Sequence, residues 1–210
     1  MPIICPTVTA KDAHIYRTQI ERITPFAKRI HLDLADGKFA NQSLPLDQVW
    51  LPEGIISDVH LMYQNPEKYV ASLIELKPNM VIVHAEADGM FPEIAKQFHD
   101  GGIKVGVALL AHTPVSMIEP SIEHIDHVLV FSGKLGFFGG TADLDLLSKV
   151  KELRSLKHNV EVGWDGGINE DNAEHLVAGG VDVLNVGGYI QRSDNPSDAY
   201  AKLNLLIQDE

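Results

Sequence analysis

Eight apolar, β-branched-rich runs punctuate the chain at intervals of about 20 to 30 residues, and that count constrains the fold more than any other feature. They are IICPTV (3–8), RIHLDL (29–34), SDVHLM (57–62), MVIVHAE (80–86), KVGVALL (104–110), HVLVFS (127–132), VEVGWD (160–165) and DVLNVG (182–187). Amphipathic segments lie between several of them: AHIYRTQIERI (13–23), NPEKYVASLIEL (65–76), FPEIAKQFHD (91–100), LDLLSKVKEL (144–153) and NEDNAEHLVAG (169–179). Several open on the Pro, Asp or Asn that favours a helix start. After the second run, SLPLDQVW (43–50) predicts only a short, weak helix. HDGGIKVGVALL and VAGGVDVLNVGG share one punctuation, a helix end, a double glycine and an apolar strand. Near-continuous apolar strands alternating with helices imply a parallel sheet, and eight such units close into a single (β/α)8 TIM barrel over residues 1–210. An open doubly wound sheet is the alternative.

With 210 residues, 45% of them hydrophobic, the chain can build one sizeable core. A net charge of −12 argues against nucleic acid or an anionic membrane as partner, while leaving room for a small anion held by backbone N–H groups. The start, MPIICPTVTAKD, lacks a basic leader region, and no run reaches the roughly 18 apolar residues of a membrane span. A soluble, cytoplasmic protein is expected. Cys5 is the only cysteine, so no intrachain disulfide forms, and it is expected to pack as a small buried residue.

Within RIHLDL, His31 and Asp33 share one face of the strand while Ile30, Leu32 and Leu34 take the other. Two ionisable groups facing an interior must be paired or bound to a metal. In a barrel of this kind the chemistry sits at the C-terminal ends of the strands. His31 and Asp33 close the second strand, His60 lies near the end of the third, and Asp165 opens the loop after the seventh. Singly, each has a bland reading, a carbonyl-bonded histidine or an Asp-Gly turn. Together, two imidazoles and two carboxylates suit one divalent transition metal, zinc, iron, manganese or cobalt. His84 and Glu86 repeat the i, i+2 arrangement on the fourth strand and are expected to support the site or touch substrate. His14, His99, His158 and His175 are expected to be solvated, and the sequence does not constrain His112, His124 or His127. Glycine-rich loops follow the last three strands, GFFGG (136–140), DGG (165–167) and VGG (186–188). Such loops let backbone N–H groups approach an oxyanion, so they predict a phosphate site.

These segments resemble the ribulose-phosphate 3-epimerase family, metal-dependent enzymes on a (β/α)8 barrel. The likeness is carried by CPTVTAKD, HLDLADGKF, DVHLMYQNPEKYV, VHAEA, GFFGG, VEVGWDGGI and NVGGYIQRSDNP, and it spans nearly the whole chain. By resemblance, His31, Asp33, His60 and Asp165 match the metal ligands, and Asp33 and Asp165 match the acid/base pair. Gly139, Gly140, Gly167, Gly187 and Gly188 match phosphate-holding positions, with Thr7, His60 and Met62 as further substrate contacts. Thr7 stands where members usually carry serine, Ala35 and Phe131 where they carry methionine, and Leu135 where they carry proline. The resemblance implies interconversion of D-ribulose 5-phosphate and D-xylulose 5-phosphate by two-base proton transfer at C3, in a homo-oligomer. Alternatives are 3-epimerisation of a ketohexose 6-phosphate and an inactive sugar-phosphate-binding homologue. A decarboxylase or aldolase is disfavoured because RIHLDL carries no lysine.

Overall fold

A computed structural model describes residues 1–133, 135 and 140–208. Eight parallel strands close into a barrel in chain order: β1 (Ile3–Val8), β2 (Arg29–Ala35), β3 (Ile56–Met62), β4 (Met80–His84), β5 (Lys104–Leu109), β6 (His127–Phe131), β7 (Glu161–Asp165) and β8 (Val183–Val186), with β8 returning to pair with β1. The open doubly wound alternative is thereby excluded. Each expected run holds a strand, because a parallel strand covered on both sides has no polar face to blur its signal. Side chains alternate as the strand period requires. Ile30, Leu32 and Leu34 point outward into a continuous core beneath the helices, and Met80, Ile82, Ala108 and Leu129 form a separate apolar plug inside the barrel.

The helices form where periodicity and capping agree. α1 (Ala13–Ile23) starts at Asp12, whose carboxylate accepts from the Ile15 N–H at 2.9 Å, and it buries Tyr16, Ile20 and Ile23. α3 (Phe91–Asp100) buries Ile94, Ala95 and Phe98, with Pro92 in its first turn. The second expected helix divides into a 3-10 turn, Pro66–Tyr69, and α2 (Val70–Leu76). The fourth opens as a 3-10 turn at Leu144 and continues as α4 (Leu147–Leu156), three residues past its expected end. The fifth shortens to α5 (Ala173–Ala178), because Asn169 and Asn172 use their side chains to close a turn on the Asp171 and Asn169 N–H groups. Leu46–Gln48 is a single 3-10 turn, as weak as the sequence suggests.

Between β5 and β6 there is no α-helix. Two 3-10 turns, Val115–Met117 and Glu119–His124, replace it, and prolines at 114 and 120 interrupt an N–H ladder there. After β8 come α6 (Gly188–Gln191) and α7 (Pro196–Leu206), which packs against α1 and β1 and completes the ring. Among the described residues, no helix is long and apolar enough to cross a membrane. Cys5 is fully buried, and burial pushes its thiol well above the usual range, which fits a packing role.

Candidate active site and metal centre

The mouth of the barrel gathers the four side chains that the sequence singles out. Strand register places Asp33 beside His60, and β7 is three strands from β2 around the ring, so Asp165 approaches from across the opening. His31 Nε2 lies 3.2 Å from Asp33 Oδ1 and 3.9 Å from Asp165 Oδ2, and His60 Nδ1 lies 3.0 and 3.9 Å from the same oxygens. One donor atom from each of the four residues lies within 4.8 Å of the others. His31 Nε2 is buried with no well-aligned hydrogen-bond partner among the described residues, although two carboxylates flank it. A buried imidazole nitrogen left without a well-aligned partner, facing two converging carboxylates and a second imidazole, fits a cation between them. The N/O donor set fits a divalent transition metal.

Electrostatics divides the carboxylates. Burial works against ionisation of Asp33, but its contacts with His31 and His60 outweigh that cost and hold it well below the usual range. The Thr9 hydroxyl donates to Asp33 Oδ2 at 2.5 Å and fixes its orientation. Burial, reinforced by the negative charge of Asp33, pushes Asp165 up to about 7. Burial also lowers His60 to about 4, whereas the Asp33 and Asp165 charges overcome burial at His31 and raise it. Two carboxylates whose environments drive their acidities apart are able to serve as an acid and a base.

Behind His60 runs a chain of buried partners. His60 Nε2 lies 2.9 Å from His84 Nε2, and His84 Nδ1 lies 3.3 Å from Glu86 Oε2. Glu86 Oε1 accepts from the Leu110 N–H at 3.1 Å and from the Thr113 hydroxyl. Lys149 donates to the carbonyls of Leu110 and Thr113, holding that end of the chain in place. Acceptor-only carboxylates set the protons at both ends of the line. Glu86 takes the proton on His84 Nδ1, and at the other end the Asp33 carboxylate accepts from His60 Nδ1 at 3.0 Å; a metal taking the place of that proton would leave His60 Nε2 donating to His84 Nε2. Phe131 and Phe39 cover the imidazoles, with ring centroids 5.9 Å from His60 and 4.7 Å from His84 respectively.

A cavity of about 320 Å³ opens above the carboxylates. Asp33 and Asp165 form its floor, with Thr7, Met62 and Phe131 on its wall, while His31 and His60 stay fully buried. Gly140, Gly167, Gly187 and Gly188 line its upper rim. Gly139 lies outside the described residues. The turn after β7 requires glycine: at Gly166 a Cβ would stand 2.3 Å from the Gly133 nitrogen, and at Gly167, with φ +72°, 2.2 Å from the Ala142 nitrogen. The loops after β6 and β7 therefore touch backbone to backbone beside the cavity. Sequence reasoning missed Thr9, Asn185, Tyr189 and Arg192, all of which line it. Asn185 alone carried a usable signal, an amide inside an otherwise apolar strand. His14, His99, His158 and His175 are exposed, as expected.

Comparison with known proteins agrees with this geometry. A profile of the ribulose-phosphate 3 epimerase family matches residues 3–191. Ribulose-phosphate 3-epimerase of Mycobacterium tuberculosis is 30% identical over 210 residues, covering 96% of this chain and 91% of that protein. The enzyme of the same name from Aquifex aeolicus is 30% identical over 216 residues, covering 99% and 97%. Among solved structures, 3-keto-L-gulonate-6-phosphate decarboxylase from Vibrio cholerae superposes with a TM-score of 0.74 over 99% of this chain and 98% of that one; at 10% identity the likeness speaks for the fold alone.

Proposed function

This chain belongs to the ribulose-phosphate 3-epimerase family, and we propose that it is a metal-dependent 3-epimerase interconverting D-ribulose 5-phosphate and D-xylulose 5-phosphate. The observation that carries this reading is the pair Asp33 and Asp165, brought to one cavity floor from strands on different sides of the barrel and shifted in acidity in opposite directions. Inversion at C3 needs a base on one face and an acid on the other. Simple phosphate binding needs neither.

Asp33, held as the carboxylate and steered by Thr9, removes the proton on C3 beside the ketone. Asp165, pushed up to about 7 and so partly protonated at neutral pH, returns a proton to the opposite face. In the reverse direction the roles exchange. His31, His60, Asp33 and Asp165 would hold one divalent transition metal, zinc, iron, manganese or cobalt, whose charge stabilises the developing enediolate by several kcal/mol when bound. Phe131 and Phe39 keep water from the imidazoles. The glycine rim at Gly140, Gly167, Gly187 and Gly188 holds the phosphate, while Thr7 and Met62 border the sugar and His60, fully buried beneath them, acts through the metal site. Binding of that remote phosphate helps orient the reacting carbon. On this reading the chain is one ribulose-phosphate-binding barrel domain, working in the cytoplasm as a homo-oligomer without nucleic acid or membrane partners.

Phe131, in place of the methionine expected from the resemblance, reshapes the cavity wall near the sugar, which favours one rival substrate class, a ketohexose 6-phosphate. Parallel assays of metal-loaded protein on D-ribulose 5-phosphate and D-allulose 6-phosphate separate the two. The pentulose is expected to show the higher kcat/KM; a hexulose preference moves the assignment, and no turnover of either removes it.

A further inference from the structure

We propose that Asn185 is a specificity-determining residue that binds the sugar hydroxyl on the carbon next to the reacting one, on its phosphate side; this rests on the epimerase reading above. Asn185 sits in β8 between Leu184 and Val186, which face outward into the core beneath the helices. Its own side chain therefore faces the barrel interior, and it lines the cavity. Only 3% of the residue is exposed, yet neither its Oδ1 nor its Nδ2 has a hydrogen-bond partner among the described residues. Burying both halves of an amide unpaired lowers stability, and an apolar side chain would suit this position better in the empty barrel. On the adjacent strand β1, the Thr7 hydroxyl is likewise buried, unpartnered and on the cavity wall.

The chemistry of the amide narrows the ligand group. One atom donates and the other accepts, so a single ligand group can satisfy both only if it does both itself. A phosphate and a keto oxygen only accept. A sugar hydroxyl does both. Its location narrows it further, since Asn185 pairs in register with Asp165 and stands two residues before Gly187 on the rim. It is thus placed between the group that serves the reacting carbon and the loop assigned to the phosphate. For D-ribulose 5-phosphate the hydroxyl between those two points is the one on C4.

The test crosses the side chain with the hydroxyl. Metal-loaded wild-type and Asn185→Val proteins are titrated calorimetrically with D-ribulose 5-phosphate and with its 4-deoxy analogue, turnover is followed in parallel, and the melting temperature of each free protein is recorded. Wild type is expected to bind the parent sugar about 10- to 100-fold more tightly than the 4-deoxy analogue, and Asn185→Val is expected to bind both alike. The valine variant is also expected to melt no lower than wild type, because a residue retained for packing would lose stability on replacement. An equal loss of affinity for both sugars, no loss for either, or a melting temperature well below wild type in both Asn185→Val and Asn185→Ala would overturn the proposal. The affinity ratio is read whether or not the sugar turns over. A wild type that binds but never epimerises therefore fails the functional reading without touching the role of Asn185.

Discussion

The two ends of the barrel interior are built from the same residue types and treat them oppositely. At the N-terminal ends of the strands, Arg29 holds Glu161 through two contacts of 2.8 Å and Asp58 at 2.5 Å, Asn79 donates to Asp58 at 2.8 Å, and His127 Nδ1 meets Glu161 at 2.7 Å. Nearly every polar atom there has a protein partner. His127 Nε2 is the exception, pressed against Gly163, where a Cβ would stand 2.5 Å away. At the opposite end, two carboxylates share an opening with two imidazoles and no fixed cation among the ligand set, and His31, Thr7 and Asn185 leave polar atoms unpaired. The closed end supplies its own counter-charge. The open end leaves its polar groups able to take a metal and a substrate, as the proposed function requires, so incomplete satisfaction marks this candidate site better than the mere presence of buried charge.

The contrast breaks most visibly through paired substitutions. His60→Ala is expected to remove bound metal and to lower kcat/KM by about 10³-fold or more while the melting temperature of the metal-free protein stays near wild type. Arg29→Met should do the reverse, stranding Asp58 and Glu161 and costing about 3 kcal/mol of stability, with kcat/KM of the folded fraction unchanged. Metal analysis, steady-state rates and urea melts on both proteins decide it. Metal retained at full stoichiometry in His60→Ala, or activity lost selectively in Arg29→Met, would erase the distinction between the two ends.

A smaller effect probes the chain behind the centre. If His84 and Glu86 act by fixing the proton on His60 Nε2, His84→Ala should weaken metal binding by about 10- to 100-fold without abolishing it. Competition with a chelating indicator measures this, and unchanged affinity would reduce the chain to packing.

The smallest effect is one of pH. Burial opposes ionisation of Glu86, but hydrogen bonds from His84, Thr113 and Leu110 overcome it and lower its pKa from 4.5 to about 2. A depressed carboxyl contributes stability that is present above its unfolded pKa and is lost as pH falls through the folded one. The stability gap between wild type and Glu86→Gln, on the order of 1 kcal/mol at neutral pH, should therefore close between pH 4.5 and about 2. A gap independent of pH in urea titrations would contradict the ionised role of Glu86.

Much of this was legible in the chain. The strands announced themselves because both of their faces are covered, and His31, Asp33, His60 and Asp165 stood out as polar residues interrupting apolar runs at strand ends. Asn185 carries the same signature in DVLNVG, but an amide, unlike an imidazole beside a carboxylate, suggests no particular chemistry by itself. Lys149 could not be read at all, since a lysine on an amphipathic helix normally points to water, and only the fold carries its amine back to Leu110 and Thr113. Arg29 and Glu161 open their strands and Asp58 stands near the start of its own, where charges are ordinary, so their union across the barrel floor emerges only when the sheet closes. The absent helix between β5 and β6 was foreshadowed by its prolines.

The assignment of Asp33 and Asp165 to opposite faces of the reacting carbon is tested most directly by turnover of D-ribulose 5-phosphate in D₂O, with metal content measured in the same samples. Wild type should place deuterium at C3 of the D-xylulose 5-phosphate formed, because the proton taken and the proton returned belong to different, solvent-exchanging groups. Metal-loaded Asp165→Asn should form no inverted product, while Asp33 can still exchange the C3 proton of one epimer on its own face. Inversion at the wild-type rate by metal-loaded Asp165→Asn, or wild-type product without deuterium at C3, would contradict the two-carboxylate mechanism.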